Sequence, residues 1–214
     1  MDLRKTGAAV TVMMALMAGH PASASIVLAT GMAAAAGEAE SPAPSAFVPA
    51  DFAVPTLAEA EGFKLVPLGP ELVQIDFDAY MSSIDHLQKT FTRSTSWPHP
   101  DISNADAMQD MENEQARFEK RESFAYAVLT PDGSRERGSL YVSPSAIDGY
   151  DAVVRMWVTK AEYDAGFDAE LYAWATDWMR TEWPFAKIAY PGRAIDWATW
   201  DAMVAAAKDA APVD

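Results

Sequence analysis

Residues 152–158, Ala-Val-Val-Arg-Met-Trp-Val, are too apolar and too rich in β-branched side chains for a surface segment. They predict a strand buried on both faces of a sheet. Downstream, Phe167, Leu171, Trp174, Ala175 and Trp178 recur at helical steps, and Trp183-Pro184 stops that helix. Residues 185–190 predict a second strand. Strand, crossover helix and strand make a βαβ unit, whose connection is right-handed and whose strands are parallel neighbours. Whatever else the chain does, it must build a sheet around that pair.

The rest of the sequence supplies antiparallel partners and helices. A strand is expected over 63–68, and Gly69-Pro70 opens a helix with Pro at its first position. Val73, Phe77, Tyr80, Ile84, Leu87 and Phe91 then place one apolar stripe on a single helix reaching Phe91. After a loop containing Trp97-Pro98, Ser103 or Asn104 caps a second helix to about Lys120, with Met108, Met111 and Phe118 on one face. Residues 123–129 and 136–142 flank Pro131-Asp132-Gly133 and read as a hairpin. A last amphipathic helix runs from Ala194 to Lys208. The order is β-α-α-β-β-β-α-β-α, an α/β fold with a mixed sheet and helices on both faces.

Composition narrows the function. The 214 residues make one domain of ordinary size, and half of them are hydrophobic. A formal charge of −15 repels a phosphate backbone, so nucleic acid is not an expected partner. With no Cys and three His (His20, His86, His99), thiolate chemistry and a His-rich metal centre are excluded, and no metal site is expected. There is no G-x-S-x-G elbow, no phosphate loop and no G-x-G-x-x-G. Asp76-Phe77-Asp78 opens like a calcium loop, but Met81 and Leu87 stand where its glycine and bidentate acid belong.

The N-terminus has the form of an export signal over 1–24. Arg4 and Lys5 precede an apolar run from Gly7 to Gly19, and Ala22-Ser23-Ala24 offers a cleavage pattern. This implies a periplasmic or secreted protein. A start at Met32 would instead give a cytoplasmic one. Residues 25–55, rich in Ala, Ser, Pro and Gly, are expected to be a flexible linker. The folded domain is then 56–193, followed by a C-terminal helix and tail over 194–214. No segment is apolar for long enough to be a transmembrane span.

Several local sequences, in order, resemble the GNAT N-acetyltransferase superfamily, and more narrowly a group of GNAT-like bacterial proteins. They are Asp78-Ala79-Tyr80-Met81-Ser82-Ser83, Trp97-Pro98, Phe124-Ala125-Tyr126-Ala127-Val128-Leu129, Pro131-Asp132-Gly133 and Gly138-Ser139-Leu140-Tyr141-Val142. Trp157-Val158, Trp183-Pro184-Phe185 and Pro191-Gly192-Arg193 complete the series, so the resemblance covers about 63–193. It implies a GNAT-like mixed sheet, here shortened at the C-terminal end. It also implies transfer of an acetyl group from acetyl-coenzyme A to a small-molecule or peptide amine. By position, Trp157 and Val158 would line the pantetheine. The loop and helix start at 164–168, including Gly166, Phe167 and Asp168, would face the pyrophosphate, since a helix N-terminus is an anion site.

The superfamily's Arg/Gln-x-x-Gly-x-Gly/Ala loop is replaced by Glu162-Tyr163-Asp164-Ala165-Gly166-Phe167-Asp168. Glu162, Asp164 and Asp168 put three carboxylates beside the expected pyrophosphate, and Asp168 could itself cap the helix. Weak coenzyme A binding is the expectation. His86, beside the apolar stripe of the first helix, is a candidate general base or an ordinary helix-edge histidine. Tyr190, ending the last strand, could protonate a leaving thiolate or simply sit at the core boundary. Arg155, mid-strand, needs an acidic partner, from the protein or from a substrate. Arg193 could face ligand or solvent, and Trp97 is the aromatic best placed to line a pocket. Two functions follow: an acyltransferase, or a GNAT-shaped binding module that does not use coenzyme A.

Overall fold

The computed structural model describes residues 46–210. Six strands form one sheet in chain order: β1 Ala58–Ala60, β2 Phe63–Pro67, β3 Phe124–Leu129, β4 Glu136–Pro144, β5 Ala152–Val158 and β6 Ile188–Ala189. All neighbours are antiparallel except β5 and β6, which are parallel, as a βαβ crossover requires. The helices are a 3-10 turn Pro70–Leu72, α1 Val73–Met81, α2 Ile84–Thr90, α3 Asn104–Glu119, α4 Lys160–Asp164, α5 Phe167–Glu182 and α6 Trp197–Ala210.

Strand alternation sorts the core into two faces. Phe124, Tyr126 and Val128 of β3 join Leu171, Ala175 and Met179 of α5 on one side. Ala125, Ala127 and Leu129 face Met111 of α3 on the other. On that second side Trp157 of β5 is covered by Ala79 and Tyr80 of α1 and Leu87 of α2. This double coverage is why β5 reads as almost continuously apolar. Ser103 accepts from Asp106 N, and the Asp106 side chain accepts from Ser103 N, a capping box that fixes the start of α3.

Four features differ from the expected elements. The linker over 25–55 ends earlier than its composition suggests. Within residues 46–54, Val48 is fully buried, Phe47 stacks on Phe185 with centroids 5.0 Å apart, and Phe52 meets Trp183 at 5.5 Å. Arg121 ties this segment down by donating to the carbonyls of Pro49 and Phe52 at 2.7 and 2.9 Å. Three apolar anchors are easily hidden among Ala and Pro. The expected signal over 1–24, the rest of the linker to 45, and residues 211–214 lie outside the described residues.

The long first helix is also broken in two. Ser82 donates to the Ala79 carbonyl at 2.6 Å, and Ser83 turns its hydroxyl toward Lys160 N, accepting at 2.9 Å. Serine side chains compete for backbone groups in this way, while the three- and four-residue spacing continues through the kink. Third, the last strand contributes only Ile188 and Ala189 to the sheet. The amides of Ala186 and Lys187 instead donate to the Asp151 carboxylate at 2.8 and 2.7 Å. Fourth, β1 and α4 are additional elements, each too short for periodicity to mark.

One polar pair interrupts the core. Asp76 on α1 and Glu136 on β4 are both buried and lie side by side. Ser139 donates to Glu136 Oε1 at 2.6 Å, and Oε2 finds no protein partner. Neither carboxyl makes an ion pair among the described residues. Burial pushes Asp76 up to about 7, with Asp110 and Glu114 adding to the rise, and it pushes Glu136 well above the carboxylate range.

Candidate active site

The parallel pair β5–β6 is bonded only at Ala152↔Ile188 and Val153↔Ala189, whereas β5 continues beside β4 to Val158. From Val154 onward the two strands part, and the edge of β5 that faced β6 is left open. A cavity of about 280 Å³ lies along that open edge. Its base is β5 from Arg155 to Val158. Helix α2 supplies His86 and Lys89, the α4–α5 region supplies Tyr163 and Asp168, and the segment after β6 supplies Arg193 and Trp197.

Short local contacts hold these pieces in place. The Ser83–Lys160 hydrogen bond joins the start of α2 to the chain leaving β5, which sets His86 beside Tyr163 with ring centroids 4.8 Å apart. Thr159 caps α4 by accepting from Glu162 N at 3.3 Å. Gly166 then reverses the chain at φ +86°, a left-handed conformation that favours glycine. At Gly192 a Cβ would lie 2.5 Å from the Trp197 ring, so the missing side chain is what lets Trp197 close that wall. Arg93 stacks 4.2 Å over Trp197 and bonds both oxygens of Asp201 at 2.7 Å, linking the loop after α2 to α6.

Six of the ten residues singled out in the sequence line this cavity: His86, Arg155, Trp157, Val158, Asp168 and Arg193. The other four do not. Phe167 is core, edge-on to Phe63 and stacked under the Arg137 guanidinium at 3.4 Å. Tyr190 is buried against Tyr172, centroids 5.6 Å apart, and its burial pushes the phenol up to about 12. Trp97 packs with Tyr80, Phe91 and Trp157 behind the cavity wall rather than on it. Gly166 forms the turn but is not part of the lining. Lys89, Tyr163 and Trp197 are cavity residues with no distinguishing pattern in the sequence, because long-range folding alone brings them together.

Two electrostatic expectations are corrected. The carboxylates near the α5 start are each matched by a cation, which offsets their repulsion of an anion. Glu162 binds Arg135 and Arg137 at 2.7 Å, Lys160 reaches Asp164 at 2.5 Å, and Arg193 grips Asp168 through both nitrogens. Burial raises Glu162, but the two guanidiniums outweigh it and hold the carboxyl below its usual range. Asp168 does not cap α5 either: Gly166 holds the N-cap position and no side chain bonds there. The second correction is Arg155, which has no acidic partner among the described residues. Nη2 donates to the Phe91 carbonyl at 2.7 Å, the guanidinium lies 4.3 Å over the Phe91 ring, and Nε is buried without an acceptor.

His86 is suited to accept a proton. Partial burial and nearby Lys160 lower its pKa, so the imidazole is neutral at pH 7. The open edge of β5 offers backbone groups to an extended ligand, and the uncapped first turn of α5 offers N–H groups to an anion. These features fit coenzyme A along the strand, while Asp168 in that first turn competes for the phosphate end. Among the described residues no cluster of His, Asp and Glu could hold a metal ion. No helix there is long and apolar enough to cross a membrane.

No protein-family model matches the chain, and no curated protein matches it. Solved structures do. A probable acetyltransferase aligns with a TM-score of 0.51 and 13% identity, over 63% of this chain and 72% of its own. A ribosomal-protein-S5-alanine acetyltransferase from Vibrio fischeri aligns at 0.44 and 12% identity, over 57% of this chain. The match spans 66% of that protein's length, just under two thirds. A spermidine N-acetyltransferase chimera from Vibrio cholerae aligns at 0.45 and 11%, over 60% and 69% of the two chains. At 13% identity the likeness is one of fold, and the fold of this chain is a GNAT-like α/β fold.

Proposed function

We propose that this chain is an acyltransferase that moves an acetyl group from acetyl-coenzyme A to an amine. The observation carrying the reading is the parting of β5 from β6 after Val153, with the cavity seated in the gap. Bound coenzyme A would supply a reactive thioester, held along Trp157 and Val158. His86 would take a proton from the attacking amine, its lowered pKa keeping it unprotonated near neutrality. No nucleophilic side chain is needed when an oriented amine attacks directly, and the cavity walls provide that orientation.

A binding module that makes no use of coenzyme A is the second reading, favoured by the Asp168–Arg193 pair at the mouth of α5. Thermal melting with acetyl-coenzyme A separates the two. An acyltransferase is stabilised by the cofactor, since a ligand of the native state alone raises its melting temperature. It also releases thiol when supplied with an amine, and His86→Ala slows that release by about 100-fold or more. No stabilisation at millimolar acetyl-coenzyme A would leave the binding module. Export remains part of the proposal, read from residues 1–24 alone. N-terminal sequencing of the native protein tests it, and a start at Met1 or Met32 would remove it.

A further inference from the structure

We propose that the cavity binds a carboxylate-bearing ligand, gripped by Arg155. This deepens the acyltransferase reading and rests on it only for where the carboxylate comes from. The chain as a whole is acidic, −15, with 16 basic residues against 31 acidic. The cavity runs the other way: Lys89, Arg155 and Arg193 line it, and Asp168 is its one carboxylate. Asp168 is committed to Arg193, which leaves Arg155 and Lys89 without an ion-pair partner among the described residues.

Arg155 is the sharper of the two. Lys89 is exposed and well served by water, whereas the Arg155 guanidinium sits in a pocket of aromatic surface. Of its five donors one is bonded to protein, and a second, Nε, is buried and unused. An arginine cannot discard its charge as a carboxylic acid can, so a half-buried guanidinium with a buried, unused donor calls for an anion. The planar fork matches a carboxylate, which would accept two parallel bonds. The uncapped α5 start, at the other end of the open β5 edge, is the better phosphate site. The carboxylate belongs either to the acyl group or to the acceptor amine.

Calorimetry on the full chain with matched pairs of probes decides both points. The pairs are succinate and succinamide, succinyl- and acetyl-coenzyme A, and alanine and alaninamide. At least one carboxylated probe should bind tenfold or more tightly than its neutral counterpart. A preference within the coenzyme A pair puts the carboxylate on the donor, and one within the alanine pair puts it on the acceptor. Arg155→Met should reduce the preference below twofold. Arg155→Lys, which keeps the charge and loses the fork, should cut it at least threefold and serves if the Met variant does not fold. No preference in any pair, or one that survives in both folded variants, overturns the proposal. If coenzyme A thioesters bind without a carboxylate preference, the carboxylate site falls and the acyltransferase stands. If succinate binds through Arg155 while no thioester binds, the reverse holds.

Discussion

Two charged sites lie against one sheet and meet their surroundings in opposite ways. Asp76 and Glu136 are acids packed together with no cation, and Arg155 is a base packed with no acid. Burial disfavours the charged form of both. The acids escape by keeping a proton, which relieves the repulsion between them. Arginine has no such exit at any pH a protein survives. The acid pair can therefore settle its charge within the protein, although Glu136 Oε2 has no protein partner, while the charge of the arginine is settled only by something that enters from outside. The first sits between α1 and β4 and away from the cavity; the second forms the cavity floor.

The largest consequence concerns pH. Asp76 has its folded pKa raised from 3.8 to about 7, so the folded state holds a proton that the unfolded chain gives up. Its contribution is fully present below pH 3.8 and is lost progressively as pH rises toward 7. Asp76→Asn cannot ionise and escapes this loss. The variant should be near wild-type stability at pH 5 and more stable by on the order of 2 kcal/mol at pH 8, measured by urea unfolding at both values. A difference that stays constant between the two pH values would show that the pair does not hold the shared proton.

Arg155→Met should have a smaller effect that ignores pH. Methionine fills similar space without a desolvated charge, at the loss of one hydrogen bond to Phe91 and one stacking contact. The expected gain is about 1 kcal/mol, a rise of about 2–4 °C in melting temperature, equal at pH 5 and pH 8. A gain that grew with pH would mean that Arg155 is coupled to a titrating acid, and the contrast with Asp76 would collapse.

The sequence makes one of these sites visible and conceals the other. Arg155 stands out because Val153, Val154, Met156 and Trp157 surround it in a strand that must be buried, so its charge poses an immediate question. Asp76 lies beside Asp78 and Glu71 on a helix with ordinary polar spacing. Nothing in that spacing shows that the helix rotates Asp76 inward onto Glu136, 60 residues away. The same division runs through the fold. Elements with long periodic patterns (α3, α5, β3 and β5) are legible, and so is the βαβ crossover. The break at Ser82-Ser83, the two-residue β6 and the packed segment 46–54 depend on single hydrogen bonds or anchors, and a repeating pattern does not register them. In the cavity, the residues on legible elements were within reach of the sequence. Trp197 was not, because the Arg93 stack and the turn at Gly192 that place it are long-range contacts.

A third charge lies between the two extremes. Asp168 and Arg193 satisfy each other at the mouth of α5, partly shielded, with side-chain exposures of 15% and 24%. Such a pair neither needs a proton nor demands a ligand, so removing its acid should turn a closed site into an open one. Asp168→Asn keeps the shape, removes the negative charge from the first turn of α5, and releases Arg193 toward the cavity. A carboxylate there gains about 0.3–1 kcal/mol from the helix dipole, and its loss leaves that field to an incoming anion. Stability should fall by about 1 kcal/mol or less. Affinity for coenzyme A should rise about three- to tenfold, measured by calorimetry at low salt, and the gain should shrink as salt is added. If affinity is unchanged while the fold stays intact, phosphate does not bind at the α5 start. The anion preference of the cavity would then rest on Arg155 and Lys89.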